Sequence, residues 1–141
     1  MLLMPALLHE DLLHRLARAR ERARDEFAEA TLDAAALARE ACLSEKQFRR
    51  VFAQLYGVTP GRFLTQLRMD RAQELLARGC SVTDAGLRVG YSSLGSFSSR
   101  FSQETGRSPR CFQQELRALG NVPARLEALY VPMCFISPTP L

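Results

Sequence analysis

The 141-residue sequence predicts an all-α fold of seven helices, and two observations carry that reading. The first is an internal repeat. From Ser44 the chain reads S-E-K-Q-F-R-R-V-F-A-Q-L-Y-G-V-T-P-G-R-F-L-T-Q-L-R, and from Ser93 it reads S-L-G-S-F-S-S-R-F-S-Q-E-T-G-R-S-P-R-C-F-Q-Q-E-L-R. At a constant offset of 49 the Ser, two helix-spaced Phe, a Gln, the Gly, the Pro, a third Phe, the Leu and the final Arg coincide, so one structural unit is used twice. The second observation is punctuation: helix-opening Asp, Ser or Thr and helix-closing Gly alternate through residues 33–120, and no strand signal appears before residue 130. Each copy joins a short helix, a turn and a second helix, the layout of a helix-turn-helix DNA reader. Two readers on one small chain imply two grip points on one duplex.

Residues 8–29 form the first predicted helix, with Leu12, Leu16, Ala19, Ala23 and Phe27 on one face. The run R-A-R-E-R-A-R within it is interleaved by Glu21 and followed by Asp25 and Glu26, a solvated and mutually paired surface rather than a nucleic-acid patch. Asp33 opens a short helix through about Ala41. Ser44 and Gln47 form a capping box for the next, which Gly57 ends. Thr59-Pro60 places an N-cap before a proline at the first helical position, and that helix runs to Arg78 before Gly79 closes it. At ~1.5 Å per residue it is a rod of roughly 28 Å. Major-groove faces on one side of a duplex recur about every 34 Å, so such a rod suits two readers in adjacent turns. Ser81 with Asp84 opens a helix ended by Gly90, Ser93 opens another ended by Gly106, and Ser108-Pro109 repeats the Thr-Pro start of a last helix closed by Gly120. The turn of the second copy is one residue longer, so upstream of it the offset is 48 and Leu37-Ala38 aligns with Ala85-Gly86. The small residue of each pair is expected where two helices cross closely.

This reading divides the chain into an N-terminal segment 1–7, a first helix-turn-helix subdomain 8–59, a connecting helix 60–79, a second subdomain 80–120 and a C-terminal extension 121–141. The extension carries only Arg125 and Glu127 as charges, is dense in apolar side chains, and is barred from a continuous helix by Pro123, Pro132, Pro138 and Pro140. It is expected to pack on this chain's helices or on another copy, because left in water it is an exposed hydrophobic patch. Removing residues 121–141 is expected to lower the melting temperature or change the oligomeric state while leaving any DNA sequence preference intact.

Net charge is +4 and Lys46 is the only lysine. The surplus lies in residues 31–120, with 13 basic against 8 acidic side chains, a balance compatible with a polyanionic partner. Cys42, Cys80, Cys111 and Cys134 are scattered, with no C-x-x-C and no His at ligand spacing. They are expected to be small buried hydrophobes in a reducing cytosol, not metal ligands. The start M-L-L-M-P-A-L-L lacks a basic leader and is broken by Pro5, so it reads as neither a secretion signal nor a membrane span.

In the first copy Phe48, Phe52 and Leu55 mark the buried side of the second helix. Lys46, Arg49, Arg50 and Ala53 fall on a different, exposed stripe. Arg matches the O6 and N7 acceptors of guanine bidentately, and Lys46 suits a base or a phosphate. In the second copy the equivalent stripe is Gly95, Ser98, Ser99 and Ser102 with Arg100 beside it, while Phe97 and Phe101 repeat the core pair. Small hydroxyls approach DNA closely but discriminate weakly. The first head is therefore expected to specify and the second to position.

The stretch S-V-T-D-A-G-L-R-V-G-Y-S-S-L-G-S-F-S-S-R-F-S-Q-E-T-G-R-S-P closely resembles the second-repeat signature of AraC/XylS-type bacterial transcriptional regulators. L-A-R-E-A-C-L-S-E-K-Q-F-R-R-V-F and F-L-T-Q-L-R-M-D-R-A-Q-E-L-L resemble the first reader and connecting helix of that family. The resemblance covers about residues 10–119, with several motifs in order at the correct spacing. It implies a cytoplasmic, sequence-specific activator or repressor without enzymatic activity, cofactor or metal, whose two recognition helices enter adjacent major grooves. Double-stranded DNA is the implied partner, and RNA polymerase a further candidate. Carried over by position, Lys46, Arg49 and Arg50 are the first-head base readers, and Leu94, Gly95, Ser98 and Ser99 occupy the second-head positions. Contacts to the DNA backbone are expected from Ser44, Thr59, Ser92, Ser93, Arg100 and Ser108. The chain departs from the pattern at Ser99, where an Arg is common; its Arg100 stands one place later. The tail V-P-M-C-F also looks like an extension seen on some small members. Most such regulators carry a ligand or dimerisation domain, for which this sequence has no room; short stand-alone members act as monomers, and a monomer is expected here. Two other function classes are an interaction protein acting through a partner, suggested by the Ser stripe, and an alkyl-transfer enzyme, for which no nucleophile motif accompanies Cys42 or Cys111.

Overall fold

A computed structural model describes residues 3–119 as seven α-helices with no strand among them: α1 (Leu3–Glu26), α2 (Ala34–Glu40), α3 (Glu45–Tyr56), α4 (Pro60–Ala77), α5 (Val82–Arg88), α6 (Leu94–Thr105) and α7 (Pro109–Ala118). The extension 121–141, Gly120 and Cys134 lie outside the described residues. Six helices begin where a short polar side chain accepts from a backbone N–H three residues on: Asp33, Ser44, Thr59, Ser81, Ser93 and Ser108. The capping box at Ser44 takes a variant form. Its hydroxyl accepts from Gln47 N–H at 3.3 Å, but donates to the Gln47 side-chain oxygen at 3.1 Å instead of leaving that amide for the Ser44 backbone. Both ends of α1 depart from expectation. α1 starts at Leu3, not residue 8, because Pro5 falls in the first turn, where a backbone N–H has no intrahelical acceptor. It also ends at Glu26, so Phe27 reaches the core from the following turn.

Two apolar cores lie along α4. The first gathers Leu16, Ala19 and Ala23 of α1, Leu37 and Ala38 of α2, Phe48 and Phe52 of α3, and Phe63 and Leu64 from the start of α4. The second gathers Met69, Ala72, Leu75 and Leu76 from the rest of α4 with Ala85, Val89, Phe97 and Phe101. The repeat is reproduced in the ring contacts. Phe48–Phe52 and Phe52–Phe63 centroids are 5.4 and 5.7 Å apart, and the equivalents Phe97–Phe101 and Phe101–Phe112 are 5.7 and 5.5 Å apart. α4 thus closes the first core with its beginning and founds the second with its remainder. The spacing of Leu16, Ala19 and Ala23 recurs as Met69, Ala72 and Leu76, so this part of α4 stands to the second half as α1 stands to the first.

The small residue at the second crossing is justified by distance. A Cβ on Gly86 meets the Phe97 ring at 3.0 Å, and Ala38 at the equivalent first crossing is buried. The cysteine expectation is corrected. Cys42 and Cys111 are exposed and Cys80 is half-buried, because Cys42 occupies the tip of the first turn at φ 54° and Cys111 sits outward on the first turn of α7. The arginines of α1 pair as their interleaving suggested: Arg15 with Asp11, Arg22 with Glu26, Arg24 with Glu21, and Arg18 and Arg22 across to Glu40 of α2.

Candidate nucleic-acid interface

Burial of two phenylalanines fixes the rotation of each second helix. With Phe48 and Phe52 fully buried, Lys46, Gln47, Arg49 and Arg50 of α3 all point to solvent, and Ala53 is half-buried at the edge of the stripe. Arg49 is held by Glu45 one turn earlier, a pair exposed on both sides. Such a pair is worth about 0–1 kcal/mol and exchanges readily for another anion or acceptor. Lys46 and Arg50 have no ion-pair partner among the described residues. The stripe therefore presents three cations, two of them uncommitted.

On α6 the burial of Phe97 and Phe101 turns Leu94, Gly95, Ser99 and Arg100 outward, with Ser98 half-buried. A Cβ built on Gly95 meets nothing within 4 Å, so this glycine leaves the surface open for close approach without being required by the chain's own packing. Ser102 donates to Ser98 C=O at 2.8 Å and is thereby engaged within its own helix. The six residues assigned to the DNA backbone are reached unequally. The hydroxyls of Ser44 and Ser93 are occupied by Gln47 and Ser96 as well as by their caps, and those of Thr59 and Ser108 accept from Arg62 and Cys111 N–H. Ser92 and Arg100 are exposed. Burial pushes the phenol of Tyr91, in the second turn, up from its ordinary value, against the opposing charges of Arg68 and Arg100.

The stripes are mounted on opposite parts of α4, whose 18 residues make a rod of about 27 Å. Gln113 of α7 caps the far end of this rod, donating to the carbonyls of Leu76 and Cys80 at 3.2 and 2.8 Å. Among the described residues no group of His, Cys, Asp and Glu is placed to hold a metal ion, and no helix is long and apolar enough to cross a membrane. Arg68 escaped the sequence reading. It makes three long-range hydrogen bonds, to the carbonyls of Phe27, Glu29 and Leu32 at 2.7, 2.9 and 3.0 Å. Its only sequence signal was its place as the final Arg of the first repeat.

Comparison with known proteins places this geometry among DNA-binding folds. A helix-turn-helix domain family matches residues 37–115. The HTH-type transcriptional activator RhaS of Escherichia coli O139:H28 is 40% identical over 80 residues, covering 56% of this chain and 29% of that protein. RhaS of Shigella boydii serotype 18 is 39% identical over the same span. The matched segment thus spans under a third of the length of these relatives. Among solved structures, the DNA-binding domain of AdpA in complex with a target DNA superposes with a TM-score of 0.69 at 30% identity, covering 74% of this chain and 95% of that one. The C-terminal domain of AraT, a response regulator from Geobacillus stearothermophilus, gives 0.68 at 27% identity, covering 72% and 84%.

Proposed function

The chain belongs to the AraC/XylS-type helix-turn-helix family, and from that premise we propose that it is a sequence-specific transcriptional regulator that lays α3 and α6 into adjacent major-groove segments of one duplex. The observation that carries this reading is that the two helices are one device built twice, a buried Phe pair behind an outward stripe, carried on a single rod. Lys46, Arg49 and Arg50 read bases, with the two guanidiniums matched to guanine. Leu94, Gly95, Ser98 and Ser99 form a close-fitting surface that positions more than it discriminates. Phosphates are met by Arg100, by Ser92, and by the helix starts at Ser44, Thr59, Ser93 and Ser108. The chain acts as a monomer, since its two heads already supply the two grips that simpler helix-turn-helix proteins obtain by dimerising. The activators among its relatives support activation, with RNA polymerase as the protein partner.

Binding by this surface is largely electrostatic. If about 5–6 phosphates are neutralised, log affinity falls against log salt with a slope near −5. Fluorescence anisotropy of a labelled duplex at increasing salt measures that slope; a flat response excludes the electrostatic grip.

A further inference from the structure

Arg68 makes an extensive polar contact between the two halves. It lies on α4 at the same place relative to the Met69, Ala72 and Leu76 set that Arg15 takes relative to Leu16, Ala19 and Ala23. Arg15 stays within its own half and donates to Ala41 C=O, in its own turn, at 3.0 Å. Arg68 instead reaches out of its half. Its guanidinium fastens three carbonyls of the loop that joins α1 to α2, while it lies 5.9 Å from the ring centroid of Tyr91 in the second turn. Gly90, next to Tyr91, touches the same loop. A Cβ there falls 2.7 Å from Ala28 C=O and 3.5 Å from Arg68 Nε. Cys42 holds the equivalent position of the first turn at φ 54°, whereas Gly90 stands at 94°, a conformation that L side chains rarely adopt. The loop of the other half adds a second, steric exclusion at Gly90. A further tie joins Arg62, at the start of α4, to Glu104 of α6 at 3.6 Å.

We propose that Arg68, with Gly90 seated against Ala28, is a positioning residue that locks the angular phase between the two reading heads and so sets the one half-site spacing the chain accepts. This rests on the DNA-binding reading above. A loop pinned by three hydrogen bonds from one planar, permanently charged group has little freedom to rotate. Each base pair added between half-sites turns one relative to the other by about 34°, which a locked pair of heads cannot follow.

The test uses the full chain and the duplex that it selects, with one or two base pairs inserted between the half-sites. Wild type is expected to lose about tenfold or more in affinity on each insertion, of the order of a mismatched base pair. Arg68→Gln, which shortens the side chain, removes the charge and leaves one amide group as donor, is expected to bind the original site more weakly, to keep its base preference within each half, and to lose less than about threefold on insertion. Gly90→Ala attacks the same contact from the other side and is expected to flatten the spacing profile in the same way. A folded Arg68→Gln or Gly90→Ala protein with the steep wild-type profile overturns the proposal. Should neither variant fold, residual dipolar couplings of free wild type decide: one alignment tensor fitting both halves is expected, and two different tensors overturn it. If wild type shows no sequence preference, the DNA-binding reading fails, while the dipolar couplings still report whether the halves are locked.

Discussion

Phe52→Ala and Phe101→Ala are each expected to lower the free energy of unfolding by about 3–5 kcal/mol, the range for emptying a fully buried aromatic site. Phe52 has no exposed surface and its ring lies within 6 Å of three others, with centroids at 5.4 Å from Phe48, 4.6 Å from Tyr56 and 5.7 Å from Phe63. Phe101 is equally buried between Phe97 and Phe112. Domains of this size have about 5–15 kcal/mol in hand, so either change removes a large fraction. Neighbours cannot close the cavity cheaply, because each ring also holds its helix at the rotation that presents the outward stripe. Urea denaturation followed by circular dichroism measures the loss. Leu87→Ala, on a side chain 58% exposed, is the control and is expected to stay within about 0.5 kcal/mol. A loss at Phe52 or Phe101 no larger than at Leu87 contradicts the packing described.

Arg49→Ala and Arg50→Ala are each expected to weaken binding to the preferred duplex by about 1–3 kcal/mol and to relax base preference in one half of the site. Arg50 is expected at the upper end. Arg49 must first release Glu45, and that exchange offsets part of what its base contact contributes. Both side chains are exposed, so their removal is expected to change folding stability by no more than about 0.5 kcal/mol. Ser98→Ala and Ser99→Ala are expected to weaken binding far less and to leave sequence preference nearly intact, because a lone hydroxyl supplies no bidentate pattern. Titrations against the preferred duplex and against single-base variants separate these effects. Stronger sequence information under α6 than under α3 reverses the assignment.

Local chemistry made most of the helical layout legible. Asp33, Ser44, Thr59, Ser81, Ser93 and Ser108 open helices because each has an oxygen one or two bonds from Cβ, and a side chain that short reaches its own helix's free N–H groups. Phe48 with Phe52 and Phe97 with Phe101 indicated which face is buried, because a spacing of four residues keeps both rings on one side. What stayed hidden depends on chain distant in sequence. Pro5 resembled a break, yet proline is harmless in a first turn, and only the helix's actual start decides which applies. Cys42 resembled a core residue, yet its backbone takes the left-handed corner of the turn and its side chain faces water. Arg68 showed only its place in the repeat, since its partners are backbone carbonyls about 40 positions away, and a carbonyl leaves no mark in the sequence. Gly90 resembled an ordinary helix terminator, and the carbonyl of Ala28 that crowds it as well is equally silent.

If two heads of unequal discrimination grip one duplex in adjacent major-groove turns, the preferred operator is bipartite. A binding selection from a random-sequence duplex library with the purified full chain tests it most directly. One bipartite site is expected, whose half-site centres lie about one helical turn, 10–10.5 base pairs, apart, with most of the sequence information in the half contacted by α3. Equal recovery of all sequences, or a single uninterrupted site too short for two heads, contradicts it.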